Sequence, residues 1–331
     1  KAPVPGADSP GVHSFWTLEQ ARAVIAGIAP GSHVVMVGAG FIAFTILNSI
    51  LSLGARLTIV EIAPRILPRM VDDKGAALVE AWLKKHGVKI LTGVTLTKID
   101  DARGKRRLRF KKGGDLPADL VIMATGIKPN LEWLQGSGIR MNHGILVDDH
   151  LRSSVPNVYA AGDIAEGKDG VTGAPVVHAI EPTAMEHGRV AGANMAGKNV
   201  AYRGSLNMNI VEVCGLDVAS FGAWEDPKAE AFTGLHPERS AYRKLCWSGD
   251  RLTGAIIIGQ AGDVWTTNDV GMLKGLVQTG VRLGAWKEHL RRNPFDVKPA
   301  FIASRTTARL LPETILGRPS RAPELPTTVT K

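Results

Sequence analysis

Cysteine is scarce in this chain. There are two in 331 residues, Cys214 and Cys246, far apart and outside any CxxC or metal-type spacing. That excludes a disulfide framework and a cysteine-built metal centre. Two reduced thiols in a cytosolic protein are the expectation, although their positions leave a single disulfide open. No apolar run approaches about 18 residues, so no membrane-spanning helix is predicted and the expected location is cytoplasmic. The first residues show no charged stretch followed by an apolar one, so no signal peptide is visible. Internal repeats are absent, and no nucleic-acid-binding motif accompanies the basic segments.

What the chain has in quantity is glycine, 37 residues, with an apolar share of 44% and a charged share of 21%. These values suit a globular α/β protein of two or three domains with many tight turns. The formal net charge is +9, part of it in "RGKRRLRFKKGG" at residues 103–114. A surface that attracts an acidic protein partner is one reading of that cluster. Solvated hairpins are the plainer one, because the basic residues alternate with β-forming ones. Nucleic acid is not an expected partner.

Along the chain, residues 1–15 are rich in Pro and Gly and predict a loop. "SFWTLEQARAVIAGI" predicts a helix with Thr17 as N-cap and Gln20 as its capping-box partner. Strand and helix then alternate. "SHVVMVGAG" is a short buried strand, "FIAFTILNSILSLG" an apolar helix closed at Gly54, "ARLTIVE" a strand, and "DDKGAALVEAWLKKHG" an amphipathic helix closed by Gly87. Two strands, a hairpin and a buried strand ending at Gly126 follow. The alternation predicts a doubly wound parallel sheet. "GILVDDHLRSSVPNVYAAGD" predicts two short strands around a Pro turn, and "PTAMEHGRVAGANMAG" a helix. From Tyr202 the texture changes to an antiparallel sheet with a turn at residues 248–251 and two further helices. This predicts an α+β domain at 202–316, followed by a polar, Pro-rich tail at 317–331.

The sharpest local signal is "VVMVGAGFIA", which carries G-x-G-x-x-A at Gly38, Gly40 and Ala43 between a strand and a helix. Gly38 permits the tight turn, Gly40 lets a pyrophosphate approach bare backbone, and Ala43 keeps helix and strand close. The N–H groups of the helix start, from Phe41 and Ile42 onward, then face the phosphates. Glu61 closes the next strand and fits the acid that accepts hydrogen bonds from the adenosine ribose. A carboxylate there repels a 2′-phosphate, which favours NAD over NADP.

Four segments together resemble the pyridine nucleotide–disulfide oxidoreductase superfamily: "VVMVGAGFIA…TIVE", "RILPRM", "VIMATGIKPN" and "GILVDDHLRSSVPNVYAAGDIAE". Within it the chain is most similar to the rubredoxin reductase and nitrite reductase type of NADH-dependent flavoprotein. The resemblance implies an NAD domain inserted in an FAD domain, with an interface domain after both. Mapped onto this chain it implies the end of the first FAD part and a linker at 1–27, the NAD domain at 28–140, the second FAD part at 141–201 and a dimerisation domain at 202–316. It implies FAD and NAD as cofactors. It adds Arg65 and the run Ala124, Thr125 and Gly126 to the nucleotide site. It also implies a flavin site closed by Gly162 and Asp163, with Asp163 on the ribityl chain, and by the helix start at Glu181, Pro182 and Thr183.

The family's opening FAD loop lies upstream of a segment like "KAPVPGADSPGVH". About one mononucleotide-binding half is therefore expected to lie outside this chain, or to come from a second one. Thr45 stands where relatives carry a Glu near the nicotinamide. Two weaker candidates are "LHPERS", whose His236 lacks the acid spacing of a catalytic His-Pro pair and predicts a turn, and His178 beside Glu181, which either relays protons or shapes its loop.

The implied activity is an NADH-dependent FAD oxidoreductase, passing a hydride to flavin and electrons to a protein or small-molecule acceptor, as a homodimer. The alternatives are a cysteine-dependent disulfide or peroxide reductase with its redox Cys outside this chain, and a non-catalytic assembly subunit with a remnant nucleotide fold. No catalytic residue and no metal ligand is assigned.

Overall fold

The computed structural model describes residues 3–102 and 104–310; the predicted tail at 317–331 and the last residues of the domain predicted at 202–316 lie outside them. The order begins β1 (Val12–Ser14), α1 (Leu18–Ala26), β2 (His33–Val37), α2 (Phe41–Ser52), β3 (Arg56–Val60), α3 (Asp73–Lys85) and β4 (Lys89–Leu91). An antiparallel excursion follows, β5 (Leu96–Ala102), β6 (Lys105–Phe110) and β7 (Leu116–Ala118), before the chain returns to the sheet as β8 (Leu120–Met123).

The first sheet is parallel throughout, in the order β1-β8-β2-β3-β4. Its middle strands are near-continuous apolar runs because both faces are covered. Val34 and Met36 pack against the α2 side chains Phe44, Leu47 and Ile50, and Val35 and Val121 pack against Ile99 and Leu108 of the excursion. The direction of winding reverses between β2 and β8, and ligands of open α/β sheets bind outside the carboxyl ends of strands at such a point.

The helix signals hold. Thr17 and Gln20 form the capping box of α1, Asp72 caps α3, and Gly54 and Gly87 take positive φ after their helices. Residues 12–14, expected within a loop, instead add an edge strand, with Val12 level with Val121 and Ser14 with Met123. Three residues carry too little periodicity to be read.

A small sheet joins β9 (Ile145–Leu146), β10 (Ala165–Lys168) and β11 (Pro175–Val176), followed by α4 (Glu181–Met195). Of the two short strands expected around the Pro turn, the first is β9 and the second is only a bridge between Arg152 and Tyr159. The last sheet is antiparallel, ordered β12-β13-β16-β15-β14, from β12 (Met208–Val213), β13 (Leu216–Gly222), β14 (Glu230–His236), β15 (Ala241–Ser248) and β16 (Arg251–Gln260). Its outer face carries α5 (Val264–Thr279), α6 (Ala285–Arg292), α7 (Val297–Ala303) and α8 (Thr306–Leu310), two more helices than expected. Its inner face shares one core with α2 and α3: Val211, Val218 and Ile258 join Phe44, Leu47 and Val79. Asn48 of α2 pins the junction, donating to the Glu212 carbonyl and accepting from the Cys214 N–H.

The basic hairpin is largely self-compensated. Arg109 pairs with Asp100 and Asp115, Arg106 with Asp101, and Lys105 with Asp119. That favours the solvated-hairpin reading of "RGKRRLRFKKGG", with Arg103 outside the described residues. His236 sits beside a single 3-10 turn at Pro237–Arg239, as its motif predicts. No helix among the described residues is long and apolar enough to cross a membrane.

Candidate functional site

The glycine turn after β2 is fixed by close packing. Gly38 has φ +102, and a Cβ placed on it would lie 2.2 Å from the Ala124 carbonyl oxygen. Only glycine lets the end of β2 cross so near the end of β8. Gly40, by contrast, faces open space: a Cβ there would meet nothing within 4 Å. Gly40 is also the N-cap of α2 and supplies no side-chain cap. The N–H groups of Phe41 and Ile42 are left to whatever occupies that space, and the helix dipole makes an anion favourable there. Ala43 is fully buried against the sheet, as its position predicts.

Glu61 is 7% exposed. One carboxylate oxygen accepts from the Ala39 N–H (2.6 Å) and the other from the Ala63 N–H (2.8 Å). The Ala39 carbonyl in turn accepts from the Leu67 N–H (2.8 Å), with Leu67 at φ +48. The peptide between the two glycines is thus clamped by the acid on one side and the "RILPRM" loop on the other. A carboxylate offers about four lone-pair sites, so two acceptor sites of Glu61 are still open to ribose hydroxyls. Arg65 is tied to its own loop. Its guanidinium donates to the carbonyls of Pro68 and Val71 and to the Asp73 carboxylate, so it holds the clamp loop. Thr45 is exposed on α2 and returns its hydroxyl to the Ile42 carbonyl.

A crevice of about 220 Å³ opens at the carboxyl ends of β1, β8 and β2. Its walls are residues 14–16, Gln20, Ile42 and residues 123–127, which include Ala124, Thr125 and Gly126. Residues 14–16 were not singled out by sequence; the short edge strand that brings them there had no legible signal.

The second cluster surrounds α4. Gly162 begins a 3-10 turn at φ +76, and the Asp163 carboxylate accepts no hydrogen bond from the described residues. The α4 N-terminus has no side-chain cap, Pro182 stands in its first turn, and the buried Thr183 hydroxyl has no partner among the described residues. His187, 1% exposed, accepts the Gly162 N–H at Nδ1 (3.3 Å), which places its own proton on Nε2. His178 is bonded to the Asp169 carboxylate (2.9 Å), whose other oxygen takes Val171 and Thr172, so it shapes its loop. Burial raises the Asp169 carboxyl, but these donors outweigh it and hold it at about 2. Among the described residues no group of His, Cys, Asp and Glu is arranged for a metal ion.

Burial, with the neighbouring His178, pushes the His187 imidazole down to about 4. Its unfolded value is near 6.5, so between pH 6.5 and 4 the unfolded chain binds a proton that the folded one does not. The stability contributed by neutral His187 is therefore complete above pH 6.5 and lost as pH falls through this window, by on the order of 3 kcal/mol. His187→Gln should flatten the dependence of Tm on pH between 6.5 and 4. An unchanged slope would exclude His187 as its source.

Comparison with known proteins fits this geometry. The family model described as pyridine nucleotide-disulphide oxidoreductase matches residues 1–194, and that of the rubredoxin NAD+ reductase C-terminal domain matches residues 208–269. The chain belongs to the pyridine nucleotide-disulphide oxidoreductases. This family depends on FAD and NAD(P)H.

The chain is 32% identical to the NADH-dependent phenylglyoxylate dehydrogenase subunit epsilon of Aromatoleum evansii, over 79% of this chain and 63% of that protein. It is 30% identical to the assimilatory nitrate reductase electron transfer subunit of Bacillus subtilis, over 79% of this chain and 33% of the other. It superposes on an NAD-dependent persulfide reductase from A. fulgidus with a TM-score of 0.80 and 26% identity, covering 95% of this chain and 62% of that one. The chain thus spans between a third and just under two thirds of the length of these relatives.

The α4 cluster fits the family's flavin. An unpaired Asp163, an uncapped helix start and the orphaned Thr183 hydroxyl are donors and acceptors without partners, as a polar ring system and its ribityl chain would require.

Proposed function

We propose that this chain forms the NADH-binding and part of the flavin-binding portion of an NADH-dependent oxidoreductase that passes electrons to a protein or small-molecule acceptor. The observation that carries it is the crevice at the β2–β8 reversal, next to an uncapped helix start and a clamped glycine turn. When bound, FAD supplies the acceptor for the hydride of NADH. The chain's own part is to hold the pyrophosphate at Phe41 and Ile42, the adenosine ribose at Glu61, and the ribityl chain and ring at Asp163, Thr183 and the α4 start.

A second glycine loop for the FAD pyrophosphate would come from outside these 331 residues, in the same protein or a partner chain. The test is anaerobic. The FAD-loaded protein should bleach near 450 nm on adding NADH and not on adding the same amount of NADPH. A protein that binds NADH but never reduces flavin would favour the assembly-subunit reading, which Thr45 supports. The cysteine-dependent alternative finds no support in Cys246, a buried thiol pushed up to about 11 by desolvation.

We place the domains at 1–27, 28–140, 141–201 and 202–316, and a homodimer contact in the last. Val264, Trp265 and Ile302 are large apolar side chains left exposed there. Light scattering at micromolar concentration should give twice the chain mass; a monomer would count against the contact. Both cysteines are free, which suits a reducing, cytoplasmic setting.

A further inference from the structure

Trp16 is 61% exposed, although it is among the largest apolar side chains of the molecule and forms one wall of the crevice. It sits on a rigid corner. Its backbone N–H and that of Thr17 both donate to Gln20 Oε1 (2.7 and 3.2 Å), and the Gln20 N–H returns to the Thr17 hydroxyl (3.3 Å). The capping box therefore fixes the path of the chain at the point from which the indole projects.

The sheet order settles which end of a dinucleotide would reach this wall. Glu61 ends β3, on one side of β2, and the glycine turn lies at β2 itself. Trp16 follows β1, on the far side, beyond β8. An adenosine at Glu61 and a pyrophosphate at the α2 start leave only the second half of the dinucleotide, the nicotinamide riboside, to enter the crevice. Around that half the walls mix apolar Ile42, Met123 and Ile127 with polar Ser14, Gln20 and Thr125, the last placed to bond a carboxamide.

We propose that Trp16 is the stacking platform for the nicotinamide ring and a specificity-determining residue for the nicotinamide half of the cofactor. This rests on the NADH-site reading above. A flat aromatic face presented from a fixed corner loses little side-chain freedom on binding. In the oxidised cofactor the ring carries a positive charge, which the face of an indole also attracts.

The experiment compares NAD+ with ADP-ribose, which keeps the adenosine, both riboses and the pyrophosphate but lacks the nicotinamide ring. Both are titrated calorimetrically into wild type, Trp16→Ala and Trp16→Phe. The expected result is that Trp16→Ala weakens NAD+ about tenfold and leaves ADP-ribose within twofold, while Trp16→Phe recovers most of the NAD+ affinity. Unchanged NAD+ affinity in Trp16→Ala overturns the proposal. So does an equal loss for both ligands, which would mark a damaged corner. If wild type binds neither ligand, the dinucleotide site itself is wrong and the proposal falls with it. ADP-ribose binding that survives in every variant keeps the two failures apart.

Discussion

Gly38→Ala should abolish measurable NADH binding and lower the melting temperature by several degrees. The new methyl would stand 2.2 Å from the Ala124 carbonyl oxygen, a backbone atom held by the sheet, on a residue at φ +102. Left-handed backbone costs a non-glycine residue about 1–2 kcal/mol. Forcing β2 and β8 apart adds about 1–3 kcal/mol of overpacking. The turn that aims the α2 N–H groups would be displaced as well.

Gly40→Ala is the matched control, because its methyl meets no protein atom and its φ of −87 suits any residue. That variant should melt like wild type yet bind NADH at least tenfold more weakly, since the methyl occupies the space assigned to the pyrophosphate. Calorimetric titration and thermal melts of the two variants check the split. Wild-type NADH affinity in Gly40→Ala would remove the pyrophosphate from this turn.

Glu61→Ala should be nearly as damaging, for a different reason. It strands the N–H groups of Ala39 and Ala63, each now paired to a carboxylate oxygen. An orphaned buried donor costs about 1–3 kcal/mol, so a total loss of roughly 2–6 kcal/mol is expected in denaturant melts. Glu61→Gln keeps one acceptor oxygen and the size of the side chain. It should lose less stability, and by removing the negative charge it should narrow the preference for NADH over NADPH, read as a ratio of dissociation constants. This variant is a cleaner probe than Glu61→Arg, which would break the clamp before it could invite a 2′-phosphate. A Glu61→Ala protein as stable as wild type would show that the acid does not anchor the turn.

The nucleotide turn was legible because its constraints are local. A strand, two glycines and a helix start lie within a few residues, and the acid follows one strand later. Glu61 was legible in place but not in full duty, since its hydrogen bonds to Ala39 and Ala63 depend on how a loop folds back. The partners of Arg65 were not legible for the same reason: Pro68, Val71 and Asp73 are near in sequence, but which way a long side chain turns is decided by three carbonyl and carboxylate oxygens that no periodicity encodes. The antiparallel sheet announced itself through alternation. The strand at residues 12–14, the two-residue strand β11, and the short helices α7 and α8 did not, because each is held by its neighbours rather than by its own pattern. Trp16 carries no signal of its own in the sequence, because its place at the crevice depends on β1.

The shared core between α2, α3 and the last sheet bears on how this protein is made. Gly75 on α3 lies so close to Ile258 that an added methyl would come within 3.2 Å of its side chain. Nearly two hundred positions separate the two residues. During synthesis the glycine turn, its helix and its acid leave the ribosome long before β16 exists, and one flank of that helix layer stays wet until β16 has emerged. Contacts of such long sequence separation form late and slowly. The nascent nucleotide fold therefore waits, half-covered and prone to sticking to other chains, for a strand made nearly two hundred residues later.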